Sequence, residues 1–213
     1  MLKNTKVHSW DWKNMKVSWS ISDLETTASV ATLLIHGFGA NKQHWRYNQE
    51  EISKLSPCFA IDLVGFGNST QPISRLQSEV PKEGDFIYNF DEWGTQIADF
   101  CIDIIKKPVI LIGNSIGGVI ALRASQLLED SCKGIVLIDC AQRTMDDKRL
   151  NEQTKLMQLL RPTLKTLVKQ RWLSNSLFRN ASNAEVIKKV LLKAYPSGSN
   201  VDESLINLLQ KPS

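Results

Sequence analysis

A serine stands between two glycines in the run Gly113-Asn114-Ser115-Ile116-Gly117, directly after four apolar residues (109–112, Val-Ile-Leu-Ile) and before a helix-patterned segment, 119–128. A serine on a tight strand-to-helix turn is forced into a strained backbone conformation, and small residues beside it let neighbouring chain pass close. Gly113 and Gly117 supply that clearance. Such a turn lifts the Ser115 hydroxyl clear of a sheet and makes it a candidate nucleophile. The amide of Ile116, at the helix N-terminus, would then face any negative oxygen formed on an attacked carbonyl. The spacing alone is a weak signal; its place between an apolar strand and a helix gives it weight.

A second element stands upstream, where His36-Gly37-Phe38-Gly39 follows the apolar run 30–35. Glycine-flanked amides there offer another donor to the same oxygen, with Phe38 as the expected one. His36 is expected to orient this loop through hydrogen bonds rather than to act as a base. His8, near the start of the chain, and His44, at the opening of a helix, read as packing or surface residues. Asp139 ends a strand at a place where an acid can sit, but no histidine is available for it to orient. Asp62, at another strand end, reads as a loop tie. Gly65-Phe66-Gly67 reads as a tight turn, because it lacks the third glycine and the strand-helix context of a dinucleotide site. Trp10, Trp12 and Trp19 are expected to pack rather than to stack on a ligand.

Holding these residues together requires a sheet. Residues 16–21 alternate with period two, as an early edge strand would. Residues 30–35 form a buried strand, 42–55 suit a helix, and 58–62 form the next strand, joined by the right-handed crossover that parallel strands require. In the segment 91–106, Trp93, Ile97, Phe100 and Ile104 fall on one helical stripe, which Pro108 stops. The central strand 109–112 follows, then the helix, then another buried strand, 134–138. Strands alternating with helices predict an α/β fold with a mostly parallel sheet. After residue 141 the strand pattern disappears. Leu156, Leu160, Leu164, Leu167 and Val168 recur at helical spacing, with Arg161, Lys165, Lys169 and Arg171 on other faces.

With IHGFGANKQHWRYN, AIDLVGFGNS, LIGNSIGG and GIVLIDCA, residues 30–141 resemble the α/β-hydrolase superfamily, and within it the cyanobacterial and plastid branch that includes the pheophytinase-like hydrolases. The resemblance implies a serine hydrolase with Ser115 as nucleophile, Phe38 and Ile116 as oxyanion-hole donors, and His36, Gly37, Gly39, Gly113 and Gly117 in support. It also implies an α/β-hydrolase core over 1–141 and a helical cap over 142–213. In that family the acid and the histidine follow later strands, whereas this sequence ends within cap-like residues. The expectation is therefore a C-terminally truncated chain that lacks the last strands and two members of the triad. A serine without a general base is a weak nucleophile at neutral pH. The leading expectation is acyl transfer on a carboxylic ester through Ser115; the rival is a non-catalytic hydrolase-fold binding protein or a decayed fragment. A cofactor-independent haloperoxidase-like or dehalogenase-like activity ranks lower, the latter because it calls for an aspartate where Ser115 stands.

Composition sets the remaining bounds. With 42% hydrophobic and 23% charged residues, the 213-residue chain has the profile of a folded globular protein. No apolar stretch approaches the ~18 residues of a membrane span, and the start lacks the apolar block of a secretory leader. Four cysteines without paired spacing predict neither metal nor redox chemistry, and no cofactor is expected. The charge is unevenly placed: residues 1–140 hold 13 Lys/Arg against 16 Asp/Glu, and residues 141–213 hold 13 against 6. A solvated outer face accounts for this first, and peripheral contact with a membrane surface is the sharper alternative. The expected partner is a small apolar or amphiphilic ester, not nucleic acid, in a cytoplasmic setting, with peripheral membrane association as the variant. The strand 134–138, with nothing beyond it, is expected to expose an apolar edge that invites self-association.

Overall fold

The computed structural model describes residues 5–22, 26–75, 79–80, 82 and 84–140, and the isolated positions 185, 188, 189, 192, 203 and 206. The chain divides into two compact units, residues 1–141 with 212–213, and residues 142–211. The helical cap expected over 142–213 lies, apart from those isolated positions, outside the described residues.

The first unit begins with a hairpin. Strands β1 (Thr5–Trp12) and β2 (Met15–Ser22) pair antiparallel through Lys13 and Asn14, both at positive φ (48° and 62°). Positive φ at both central residues gives a two-residue turn whose twist matches the strands it joins. The pattern at 16–21 predicts an edge strand; the structure makes it the second strand, because β1 pairs along its outer side.

Further strands follow: β3 (Ala31–Ile35), β4 (Cys58–Ile61), the two-residue pair β5 (Ile73–Ser74) and β6 (Asp85–Phe86), β7 (Val109–Asn114) and β8 (Cys132–Ile138). The main sheet runs β1-β2-β4-β3-β7-β8. β2 joins β4 antiparallel, while the β4–β3, β3–β7 and β7–β8 pairs are parallel. All five residues of β3 are buried, as an unbroken apolar run covered on both faces must be.

Helices α1 (Gln49–Ile52), α2 (Phe90–Phe100) and α3 (Ile116–Leu128) complete the described core. Asn89 caps α2 by accepting from Glu92 N at 2.8 Å, with Asp91 and Glu92 in the positive first turn. Trp93, Ile97 and Phe100 are buried as the stripe predicts. Past Phe100 the helix widens into a π turn, Cys101–Ile105, which adds one residue to the repeat. Ile105 is therefore fully in the core and Ile104 only partly. Lys106, at φ 54°, ends the segment.

The continuous helix expected over 42–55 is absent. In its place stand a short 3-10 helix, Lys42–Trp45, and α1. Two polar side chains pull this segment onto the sheet. Gln49 donates to the carbonyls of Ser20 and Cys58 (3.2 and 3.0 Å), and Lys42 reaches Asp62. The tryptophans pack as expected: Trp10 and Trp19 meet Phe100 edge-on at 5.6 and 5.5 Å, and Trp12 Nε1 donates to Asp99.

Candidate active site

Ser115 sits between the end of β7 and the start of α3 with φ 54° and ψ −120°. This region is strained for any residue with a Cβ and is held only where the surroundings enforce it. Three bonds do so here. Ser115 N donates to Ile138 O at 3.0 Å, Asn114 Nδ2 donates to the same carbonyl at 3.3 Å, and Gly118 N closes the turn onto Ser115 O at 3.1 Å. The flanking glycines are sterically required. A Cβ on Gly113 would strike the Gly117 carbonyl, and one on Gly117 would lie 2.5 Å from Ile35 O and 2.6 Å from His36 O. The elbow and the end of β3 are thus in backbone contact.

The loop after β3 comes back over the serine. A Cβ on Gly37 would lie 3.1 Å from Asn114 Oδ1 and 3.2 Å from Ser115 Cβ. His36 is fully buried, and its ring spans two backbone groups: Nε2 accepts from Leu63 N at 3.1 Å, and Nδ1 stands 2.8 Å from Gly37 O. Since Nε2 accepts, Nδ1 carries the proton and donates. Burial pushes this imidazole below its ordinary pKa, against the attraction of nearby Asp62 and the bond to Gly37. With both nitrogens engaged and the ring neutral, His36 is a strut rather than a base. Ala40 N adds a 3.3 Å bond to the Gly37 carbonyl. The peptide plane is trans, so the Phe38 N–H is antiparallel to that carbonyl and turns to the opposite side of the loop from the imidazole. Gly39, at φ 68°, completes the turn. The Phe38 ring is exposed and meets Phe66 edge-on at 5.5 Å.

Beneath this loop lies a buried ion pair. Lys42 Nζ stands 2.6 Å from Asp62 Oδ2 and donates also to Ser18 Oγ at 2.9 Å. Asp62 further accepts from Lys42 N (2.6 Å) and Asn68 N (2.9 Å), and its carbonyl takes Ser69 Oγ (2.8 Å). Gly67 packs so closely on the Asp62 carboxylate that any side chain there would overlap it. From the other side α2 holds the same loop, with Gln96 Oε1 accepting from Val64 N and Trp93 Nε1 donating to Val64 O. Asp62 is the tie its position predicts. Lys42 gives no sequence signal, because a lysine in a loop normally reads as exposed.

The structure brings Ser115, Ile116, Gly37, Gly113, Gly117 and the His36 backbone to one place at the C-terminal ends of β3 and β7. It leaves His8 stacked on Trp19 at 4.5 Å in the hairpin, and His44 edge-on to Trp45 at 5.9 Å. Asp139, at φ 45°, follows β8 directly, one step past the Asn114–Ile138 pair and therefore level with Ser115. Asn114 is the site residue that sequence reasoning missed; it occupies a variable place in the glycine-serine-glycine spacing, and nothing there marks it. Among the described residues no side chain hydrogen-bonds the Ser115 hydroxyl, and no cluster of His, Cys, Asp and Glu is arranged to hold a metal. No helix of the described residues is long and apolar enough to cross a membrane.

The sequence model of the alpha/beta hydrolase family matches residues 32–203. The chain belongs to the α/β-hydrolase family. Among its relatives is the 1-acylglycerol-3-phosphate O-acyltransferase ABHD5 of Rattus norvegicus, 30% identical over 57% of this chain and 32% of that protein. The chloroplastic pheophytinase of Arabidopsis thaliana is 24% identical over 61% of this chain and 31% of its own length. A solved membrane phospholipase A, described as a bacterial virulence factor, superposes with a TM-score of 0.54 at 30% identity, covering 66% of this chain and 41% of that one. The chain thus spans about a third of the length of the curated relatives it matches.

Proposed function

We propose that this α/β-hydrolase is a serine hydrolase acting on a carboxylic ester by acyl transfer through Ser115. The observation that carries the reading is the conformation of Ser115, at φ 54°, with Gly37 packed against it and α3 beginning at the next residue. In this mechanism Ser115 Oγ attacks the ester carbonyl and the carbonyl oxygen gains negative charge; the bond to the alcohol oxygen then breaks as the serine proton passes to that oxygen, and water cleaves the resulting acyl-serine, releasing the acid and returning a proton to Oγ. The N–H groups of Ile116 and Phe38 receive the oxyanion. The first belongs to a helix start, whose amides the helix itself leaves unsatisfied; the second is aimed by the clamp of His36 on Gly37. Gly39, Gly113 and Gly117 keep both donors within reach of the serine. The names of the relatives, with acylglycerol phosphate in one and phospholipase in another, support an amphiphilic acyl ester as substrate.

One observation favours a second reading, a hydrolase-fold protein that binds such a molecule without turning it over: the nearest imidazole, His36, is committed to backbone bonds and is unable to take the serine proton. A fluorophosphonate probe separates the two. Labelling that maps to Ser115 and vanishes in Ser115→Ala supports the hydrolase. Labelling that persists in the alanine variant overturns the nucleophile assignment. An unlabelled protein that still binds an acyl-chain ester by calorimetry supports the second reading.

A further inference from the structure

The loop of residues 36–42 is anchored at both of its ends to consecutive residues, Asp62 and Leu63, just past β4. At one end His36 Nε2 accepts from Leu63 N at 3.1 Å. At the other, Lys42 N and Lys42 Nζ donate to the two carboxylate oxygens of Asp62, each at 2.6 Å. We propose that Lys42 is a positioning residue: held by Asp62 and Ser18, it fixes the far end of this loop and so sets where the Phe38 amide stands relative to Ser115. The inference rests on the reading of Ser115 as a hydrolytic nucleophile.

The middle of the loop is rich in glycine. Gly37 and Gly39 flank Phe38, and Gly39 stands at φ 68°; such residues lose the most freedom on ordering, so the loop depends on its two ends for a fixed place. The ammonium at the far end meets more than one partner. Lys42 Nζ also donates to Ser18 Oγ in β2, at 2.9 Å. Asp62 N donates to Ser18 O (2.8 Å), Ser18 N to Ser69 Oγ (2.9 Å), and Ser69 Oγ to Asp62 O (2.8 Å), all four residues being buried. One side chain thus ties the loop to two segments, β2 and the turn after β4, that are already bonded to each other. Stability alone does not account for a buried ammonium, because apolar residues of like volume commonly serve as well as a buried ion pair. A charge with two acceptors in fixed places defines an end point, and geometry is what the site requires. A Cβ on Gly37 would lie 3.2 Å from Ser115 Cβ, and a misplacement of about 1 Å at a reacting centre lowers a rate about a hundredfold. Asp62 and Ser18 act on the loop through Lys42.

Fluorophosphonate labelling and histidine NMR on the full chain and its variants test this. In labelling, Ser115 Oγ bonds phosphorus as fluoride leaves, the hydroxyl proton passes to solvent, and the phosphoryl oxygen takes the place of the oxyanion. Lys42→Met should lower the limiting labelling rate about tenfold while the probe concentration giving half that rate stays unchanged. Ser18→Ala, a milder change that removes one acceptor of the ammonium, should lower it about threefold. Phe100→Leu, a core truncation among Trp10, Trp19 and Phe59, is the control: it costs stability and should leave the rate unchanged. The His36 Nδ1–H resonance, held by Gly37 O, should be sharp in the parent and broadened in Lys42→Met. An equal loss of rate in Phe100→Leu overturns the proposal, as does an undisturbed imidazole resonance in Lys42→Met. So does a rate unchanged in both Lys42→Met and Ser18→Ala. A parent chain that takes no label at Ser115 refutes the hydrolase reading instead, and the imidazole resonance then decides whether Lys42 holds the loop.

Discussion

The Cβ of Ser115 stands 3.2 Å from the place a Cβ on Gly37 would occupy, while a Cβ on Gly117 would come within 2.5 Å of Ile35 O. The two contacts differ in kind: the first presses on a side chain at the site, the second on fixed backbone. Gly117→Ala should therefore lower stability by about 3 kcal/mol or more, the range of overpacking with backbone displacement. Gly37→Ala should lower it by about 1 kcal/mol while slowing the labelling of Ser115. Urea unfolding checks the first effect and probe kinetics the second. Equal destabilisation by both would contradict the geometry.

The backbone strain at Ser115 has its own signature. Conformations of this kind raise the free energy of a non-glycine residue by about 1–3 kcal/mol. Ser115→Gly should be more stable than Ser115→Ala by about 1 kcal/mol, because both lose the hydroxyl and only glycine relieves the strain. Melting temperatures of the two variants, measured side by side, decide this; the reverse order would mean that the elbow is relaxed.

Much of this arrangement is written locally. The glycines of the elbow and the loop at 36–39 show in the sequence because each answers a steric demand between near neighbours. The parallel strands β3 and β4 show because burial on both faces removes polar residues from them, whereas β8, expected as a buried strand over 134–138, leaves Val136, Leu137 and Ile138 exposed. The hairpin strand β1 does not show, since five of its eight residues are exposed and its Lys-Asn turn lacks the usual glycine. The segment 42–55 misleads for a different reason: helical propensity there yields to Lys42 and Gln49, whose partners lie 20 and 9 residues downstream. Long-range polar ties of this sort leave no periodic trace.

Lys42 and Asp62 offer a third test. Removing one member of a buried ion pair strands the other, at about 3–5 kcal/mol. Asp62→Ala should approach that loss, leaving the Lys42 ammonium with Ser18 Oγ as its remaining described acceptor. Lys42→Met should lose less, since two backbone amides, Lys42 N and Asn68 N, still serve the carboxylate. Combining Lys42→Met with Asp62→Leu should recover part of the loss, and a double-mutant cycle in urea measures the coupling. Additive effects would show that the pair acts as two independent groups.

The buried His36 predicts a direction with pH. Its pKa in the folded chain lies below the ordinary 6.5, chiefly through burial. The unfolded chain therefore binds a proton near pH 6.5 that the folded chain refuses, and stability rises with pH across the interval between the two values. The full contribution is present above 6.5 and declines as pH falls, by up to about 1.4 kcal/mol per unit for each histidine. His44, lowered by burial and by Arg46, adds the same sign. Urea midpoints at pH 7.5 and 5.5 should differ accordingly, and His36→Asn should shrink the difference. An unchanged difference in that variant would mean that the imidazole is protonated in the fold.

The π turn at Cys101–Ile105 amounts to a spare residue carried inside a helix. Excising Asp103 would return the segment to ordinary α spacing, and Ile105 would then drop into the slot that the earlier stripe assigns to position 104, still facing Phe100 and the sheet. Two consecutive isoleucines make the helix end indifferent to which of them turns inward. This stretch can therefore change length by one residue without moving Pro108 or the strand that delivers Ser115, whereas the same deletion one turn earlier would rotate Trp93 and Ile97 relative to everything that follows.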